Sequence, residues 1–208
     1  MAKVTIINHP LIQHKLSIVR DKNTQPIIFR ELISEIGSLM TYESTRDLIC
    51  QDIDIETPIG KCKASELAQD IVICPVLRAG LGMAEGIHKM IPQARVGHIG
   101  LYRDEATLET KEYYCKFPKG IENAIVILVD PMLATGNTAV YAVNLLKKAG
   151  VKKIIYIGLV GVQVGIDNLA THHPDVNIFL AAQDEKLNEV GYIVPGLGDC
   201  GDRIFGTK

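Results

Sequence analysis

The chemistry most directly readable from this chain lies in Val126-Ile127-Leu128-Val129-Asp130-Pro131-Met132-Leu133-Ala134-Thr135-Gly136-Asn137-Thr138. A continuous apolar stretch ends in one acid, a loop of small and hydroxyl residues follows, and a helical pattern begins. Small loop residues let backbone N–H groups gather, and the helix behind them adds its positive N-terminal end; both suit a phosphate. Asp130, at the strand tip, stands where the hydroxyls of a bound sugar could lie. Together these features point to a sugar-phosphate ligand. The alternative is an ordinary strand–helix connection in which Thr138 helps to cap the helix.

Two arginines stand at comparable places. Arg78 follows the apolar run Ile71 to Val76 and precedes Ala79-Gly80-Leu81-Gly82-Met83; Arg103 follows Leu101-Tyr102. The C-terminal ends of strands form the ligand-binding face of open α/β sheets, and a guanidinium can grip two phosphate oxygens at once. Either arginine alone also reads as a solvated surface residue. The tail Gly191-Tyr192-Ile193-Val194-Pro195-Gly196-Leu197-Gly198-Asp199-Cys200-Gly201-Asp202-Arg203 is rich in glycine, which lets backbone approach a flat heterocycle and read its edge. Asp199 could face a metal–water cluster, and the competing reading is a Gly/Pro-rich surface tail. No Gly-x-x-x-x-Gly-Lys-Ser/Thr loop occurs. Gly80-Leu81-Gly82 lacks the third glycine of a dinucleotide fingerprint, and Gly196-Leu197-Gly198 is read as having no helix after it.

The elements that must position these residues alternate. Ile71 to Val76, Ala94 to Leu101, Ala124 to Val129, Ile154 to Val160 and Val176 to Ala181 read as strands; Gly80 to Ile91, Thr138 to Ala149 and Ile166 to His173 read as helices. Such alternation predicts a mainly parallel α/β sheet flanked by helices. In the central helix, Ala139, Val140, Ala142, Val143, Leu145 and Leu146 form an apolar face; Lys147, Lys148 and Gly150 suit its end. The first 50 residues read as helices, with Ile28, Phe29, Leu32, Ile33, Ile36, Leu39 and Met40 at helical spacing, for packing on the sheet or on a second subunit. The polar stretch from Tyr102 to Gly120 reads either as a functional flap or as a solvated hairpin.

Length and composition bound the rest. The 208 residues fit one domain, and 47% hydrophobic against 22% charged residues allow a substantial core. A net charge of −2 weighs against general nucleic-acid or membrane-surface binding. The N-terminus lacks the apolar core of a signal peptide, and no apolar run has membrane-spanning length. Cys50, Cys62, Cys74, Cys115 and Cys200 are odd in number and show no Cys-x-x-Cys spacing, as expected of reduced thiols in a cytoplasmic protein.

Asp130-Pro131-Met132-Leu133-Ala134-Thr135-Gly136 resembles the phosphoribosyl-pyrophosphate (PRPP) motif of the uracil phosphoribosyltransferase family. Leu77 to Met83, Tyr102-Arg103, His9-Pro10-Leu11, Gly37 to Glu43 and the block from Gly191 to Lys208 are similar to that family as well. The loop alone would indicate only the wider phosphoribosyltransferase class; the C-terminal block makes the match specific. The resemblance implies a single phosphoribosyltransferase domain over 1–208, with N-terminal helices, a flexible flap and a C-terminal base-binding hood. It implies the reaction of uracil with PRPP to give UMP and diphosphate. Asp130, Arg103 and Asp199 are then the catalytic set. PRPP contacts are expected from Arg78, Arg103, Asp130, Pro131, Met132, Leu133, Ala134, Thr135, Gly136, Asn137, Thr138 and Asp199. Uracil is expected at Ile193, Gly198, Asp199 and Cys200, and Mg²⁺ near Asp199, held through PRPP and water rather than by direct protein ligands. A homodimer or higher homo-oligomer is expected from the apolar N-terminal helices, with GTP as a candidate effector because the family includes GTP-activated members.

The chain departs from the family pattern in three places. Gly136-Asn137-Thr138 stands where Gly-Gly-Ser is common, Gly161-Val162-Gln163-Val164-Gly165 replaces Ala-Ala-Pro-Glu-Gly, and Cys200 replaces Ala. Asn tolerates unusual backbone angles and Thr keeps the hydroxyl, so phosphate binding is expected to survive. A thiol is only slightly larger than a methyl group, so Cys200 reads first as a sterically tolerated change; the sharper alternative is that its oxidation blocks the base pocket. The competing functions are a phosphoribosyltransferase for another base, and a regulator that senses PRPP or nucleotides and binds RNA. A nucleoside kinase or NTPase would need the missing lysine-bearing loop.

Overall fold

The computed structural model describes residues 2–103 and 110–207; residues 104–109 and the side chain of Arg103 lie outside the described residues. In chain order the elements begin with β1 (Val4–Ile6), α1 (Pro10–Arg20), α2 (Pro26–Ser44), β2 (Cys50–Glu56), β3 (Lys61–Leu67), β4 (Ile71–Leu77), α3 (Gly80–Met90), β5 (Arg95–Val96), β6 (His98–Arg103) and β7 (Thr110–Lys116). They continue with β8 (Ile125–Val129), β9 (Met132–Leu133), α4 (Asn137–Lys148), β10 (Lys153–Val162), α5 (Gln163–His172), β11 (Asn177–Asp184), β12 (Lys186–Leu187), β13 (Ile193–Val194) and α6 (Cys200–Phe205).

The main sheet runs β1-β11-β10-β8-β4-β6-β7, parallel throughout except for the antiparallel β6–β7 pair. Its central strands are uniformly apolar because both faces are covered. Ile73, Ile127, Val129 and Ile157 point toward the cluster that includes Phe29, Ile33, Met40 and Met83. Cys74, Val126, Leu128 and Tyr156 point toward Ala139, Val143, Leu146 and Leu169. Every residue of β8 is buried, so the strand that delivers Asp130 is locked between two helical layers.

The expected α/β alternation holds from Ile71 to Asp184, and the elements differ from the expectation in four places. The first 50 residues contain β1 as well as two helices; three residues are too few to show a period. The expected strand from Ala94 to Leu101 is divided into β5 and β6, and the break falls opposite Cys74-Pro75, where proline has no N–H for the ladder. In the polar stretch after Tyr102, Thr110–Lys116 is a strand paired with β6, so its described part is one arm of a hairpin. The β2–β3 hairpin was not anticipated; its two strands pair with each other and are mostly exposed.

Candidate active site

Asp130 follows the last residue of β8 and is buried. Strand β10 holds its backbone on both sides: its N–H donates to the Ile157 carbonyl at 3.2 Å, and its carbonyl accepts from the Tyr156 hydroxyl at 3.0 Å. Burial pushes the carboxyl up to about 7, while the Met132 N–H donating to it pulls in the opposite direction. A buried acid poised near neutrality in a cleft is a marker of a functional site.

Pro131 through Leu133 turn along β10, with the Pro131 carbonyl accepting from Leu159 and Val160 N–H at 2.8 and 3.0 Å. Leu133 points into the core, whereas Met132 is half-buried beside the cleft. Gly136 then adopts φ 82° and caps α4. It has no side-chain acceptor to cap the first turn, and the Thr135 hydroxyl reaches only the Asn137 N–H, at 3.5 Å. Thr138 lies inside α4, not at its cap, which sets aside the capping alternative. The result is a helix N-terminus suited to an anion.

The loop rests on α5. A Cβ on Gly165 would lie 2.3 Å from the Ala134 carbonyl oxygen, and one on Gly136 would lie 2.7 Å from the Gly165 carbonyl oxygen. The Asn168 side-chain amide donates to the Thr135 carbonyl at 2.8 Å and to the Asn137 side-chain oxygen at 2.9 Å. The family departure at Asn137 is therefore tied down within this chain. The other departure leaves Val164 exposed on α5 and outside the cleft, while Gly165 keeps the close approach.

Arg78 follows β4, and the peptide joining it to Leu77 is cis. One guanidinium nitrogen lies 3.2 Å from the Asp202 carboxylate, and the side chain is 55% exposed. Asp202 N–H donates to Asp199 at 2.9 Å, so Arg78 and the tail are joined through Asp202. Asp199 caps α6; the reading of no helix after Gly198 is corrected, because that cap starts one within a single residue. Nor is the block a loose surface tail: Cys200, Gly201, Asp202 and Ile204 are buried. Arg103 ends β6 on the same strand-terminal side of the sheet, and its side chain lies outside the described residues.

A cleft of about 430 Å³ joins the two regions. Asp130, Met132, Ala134 and Thr138 line it from the loop, and Ile193, Gly198, Asp199 and Cys200 from the tail. Pro131, Leu133, Thr135, Gly136 and Asn137 are not among its lining residues, and neither is Arg78. Ala79, Val190 and Tyr192 also line it and were not singled out; Tyr192 had a signal in the glycine-rich block, whereas Val190 had none. A larger hollow of about 520 Å³ near Asp70 and Arg95 lies at the opposite, N-terminal ends of β4 and β5.

Burial speaks against the reactive alternative for Cys200. The residue is buried, and burial, with Asp130 and Asp199 nearby, pushes its thiol up, which suppresses the nucleophilic thiolate. Among the described residues, no group of three or more His, Cys, Asp or Glu could hold a metal ion. An oxygen-seeking cation at Asp199 would have to draw most of its ligands from a bound phosphate compound and water. No described helix is long and apolar enough to cross a membrane.

The family model for uracil phosphoribosyltransferase matches residues 6–207. The chain is 57% identical over 208 residues to the uracil phosphoribosyltransferase of Acholeplasma laidlawii, covering 100% of both chains. It is 56% identical over 209 residues to that of Staphylococcus aureus, again covering 100% of each. Among solved structures, the AQ2163 protein of Aquifex aeolicus superposes with a TM-score of 0.94 at 35% identity, covering 99% of each chain. Adenine phosphoribosyl transferase from Trypanosoma brucei, solved with AMP, pyrophosphate and ribose-5-phosphate, has a TM-score of 0.60 at 14% identity over 88% of this chain and 84% of that one. This second likeness concerns the fold alone.

Proposed function

The chain belongs to the uracil phosphoribosyltransferase family, whose reaction joins uracil to PRPP to give UMP and diphosphate, and from that premise we propose how its residues divide the work. The Ala134 to Thr138 loop and the N-terminus of α4 hold the 5′-phosphate. Asp130 accepts hydrogen bonds from the ribose hydroxyls. As the bond from the anomeric carbon to the diphosphate oxygen breaks and the bond to a uracil ring nitrogen forms, positive charge grows on the sugar, and the ionised Asp130 carboxylate stabilises it. Arg78 and Arg103 grip the diphosphate. The backbone at Ile193 and from Gly198 to Cys200 reads the uracil edge, where a wrong donor–acceptor pattern leaves buried groups unpaired.

The observation that carries this reading is the shared cleft, which sets Asp130, Ala134 and Thr138 against Ile193, Gly198 and Cys200. Bringing sugar and base together in one enclosure supplies much of the catalysis for such a transfer. Asp199 is suited to orient the waters of a Mg²⁺ ion carried by PRPP. When bound, Mg²⁺ would neutralise charge on the departing diphosphate. The segment between Tyr102 and Gly120 acts as the flap that excludes water.

Residues 1–208 function as one phosphoribosyltransferase domain, since a single sheet carries both arginine positions and the loop. The reading extends to a cytoplasmic homo-oligomer with GTP as effector, on the grounds of family resemblance. The decisive assay follows UMP formation from uracil and PRPP with and without Mg²⁺ and GTP, and in competition with cytosine, adenine and hypoxanthine. UMP formation that needs Mg²⁺ and resists the other bases is expected. Absence of UMP, with salt-sensitive RNA binding in its place, would sink the reading.

A further inference from the structure

The backbone assigned to uracil has little regular structure of its own. Its strands β12 and β13 pair over two positions, Lys186 with Val194 and Leu187 with Ile193. Support comes from elsewhere in the chain. Arg20, the last residue of α1, donates through Nη1 to Gly196 O at 2.7 Å and to Asp184 Oδ2 at 2.8 Å. Its Nη2 donates to Asp184 Oδ1 at 2.6 Å. Asp184, the last residue of β11, accepts in turn from Gly196 N–H at 2.8 Å. Arg20, Asp184 and the backbone of Gly196 thus form a closed ring of hydrogen bonds.

The next carbonyl is held in the same way. Arg203 Nη1 donates to Leu197 O at 2.8 Å and to Val19 O at 2.6 Å, and its guanidinium lies 4.3 Å from the Phe29 ring centroid. Two consecutive carbonyls, at Gly196 and Leu197, are therefore fixed by two arginines, one the last residue of α1 and the other bonded to the Val19 carbonyl of that helix. Ile193 precedes this point and Gly198 to Cys200 follow it directly.

The Asp184 side chain is 6% exposed and that of Arg20 is 24% exposed. A charge pair this sheltered is costly unless its remaining donors and acceptors are used. Here they are spent on the N–H and carbonyl of Gly196 in the tail rather than on the sheet. We infer that Arg20 and Asp184 are positioning residues for base recognition: they set the height and tilt of the Gly196-Leu197 turn and so aim the backbone groups that meet uracil. The inference rests on the placement of uracil against the tail under Proposed function.

The test uses the full chain and the variants Arg20→Met, Arg20→Lys, Asp184→Asn and Ile193→Ala. It measures kcat, KM for uracil, KM for PRPP and the thermal midpoint. Lysine keeps the charge but lacks the planar fork that reaches carboxylate and carbonyl together. Arg20→Lys should hold the midpoint near that of the parent and still raise KM for uracil about tenfold, with KM for PRPP little changed. Asp184→Asn should shift KM for uracil in the same direction. An unchanged KM for uracil in both variants, or an equal rise for both substrates, overturns the inference; these two variants decide the matter even if Arg20→Met does not fold. Ile193→Ala separates the two levels. If it alters KM for uracil while the pair variants do not, only the positioning role falls. If it too leaves KM for uracil unchanged, the positioning role falls, while base reading by the Ile193 backbone, which this substitution retains, stands or falls with the base-competition assay.

Discussion

The side-chain amide of Asn168 on α5 spans the apex of the phosphate-type loop, donating to the Thr135 carbonyl at 2.8 Å and to the Asn137 side-chain oxygen at 2.9 Å. A loop that presents N–H groups to an anion works only if those groups are held in place before the anion arrives. With Asn137 in place of the family's common glycine, the loop gains a side-chain acceptor, and α5 supplies its donor.

Removing that donor should loosen the loop without touching the base. Asn168→Ala is expected to raise KM for PRPP about thirtyfold, from two lost hydrogen bonds of about 1 kcal/mol each. KM for uracil should stay within error. In a double-mutant cycle with Asn137→Gly, the two effects should be less than additive, because both variants remove the same bond. Full additivity in steady-state kinetics would show that the two side chains act separately.

Gly165→Ala tests the same contact by crowding. Its Cβ would stand 2.3 Å from the Ala134 carbonyl oxygen, so α5 or the loop must move. Overpacking of this kind costs about 1–3 kcal/mol and should lower the thermal midpoint by several degrees. PRPP binding should weaken with it, and a variant with parental midpoint and KM would show that the loop yields freely.

Asp130→Asn is expected to lower turnover by about 10²-fold or more, by removing charge where positive charge develops. Stability should move the other way. Because burial raises the folded-state carboxyl to about 7, the ligand-free folded protein binds more protons than the unfolded chain between about pH 4 and pH 7. Its stability from this group therefore falls as pH rises through that window. The asparagine variant has no such loss, so it should be the more stable protein at pH 8, by up to about 4 kcal/mol, and have no advantage at pH 4. Thermal unfolding at both pH values decides; a pH-independent difference would refute the buried-carboxylate account.

Arg78→Ala should weaken PRPP and diphosphate more than uracil, since Arg78 reaches the tail through Asp202 and the Phe205 ring, neither of which lines the cleft. Product inhibition by diphosphate provides the measurement. Loss confined to uracil affinity would reassign the residue.

Brief alkylation of the native protein near neutral pH should label the exposed Cys50 and Cys62 and spare the buried Cys74 and Cys200. Peptide mass spectrometry reads the sites. Prompt labelling of Cys200 would restore it as a redox-sensitive gate to the base pocket.

The amino-acid sequence by itself determined the sheet class, the place of Asp130 and the loop after it, and the family. These features are local: an apolar run, an acid, glycine and a helical period lie within thirteen consecutive positions from Val126 to Thr138. Tertiary structure alone decided what supports them. Asn168 lies 33 residues from Thr135 in the chain, and Arg20 lies 164 residues from Asp184. No period or motif joins such pairs, since their contact depends on which strand ends the fold brings together. The short β1 and the exposed β2–β3 hairpin escaped for a related reason: a three-residue strand shows no period, and a hairpin exposed on both faces needs no apolar alternation. The upward shift of the Asp130 carboxyl and of the Cys200 thiol likewise follows from burial, a property of the packed molecule and not of either residue's neighbours in sequence.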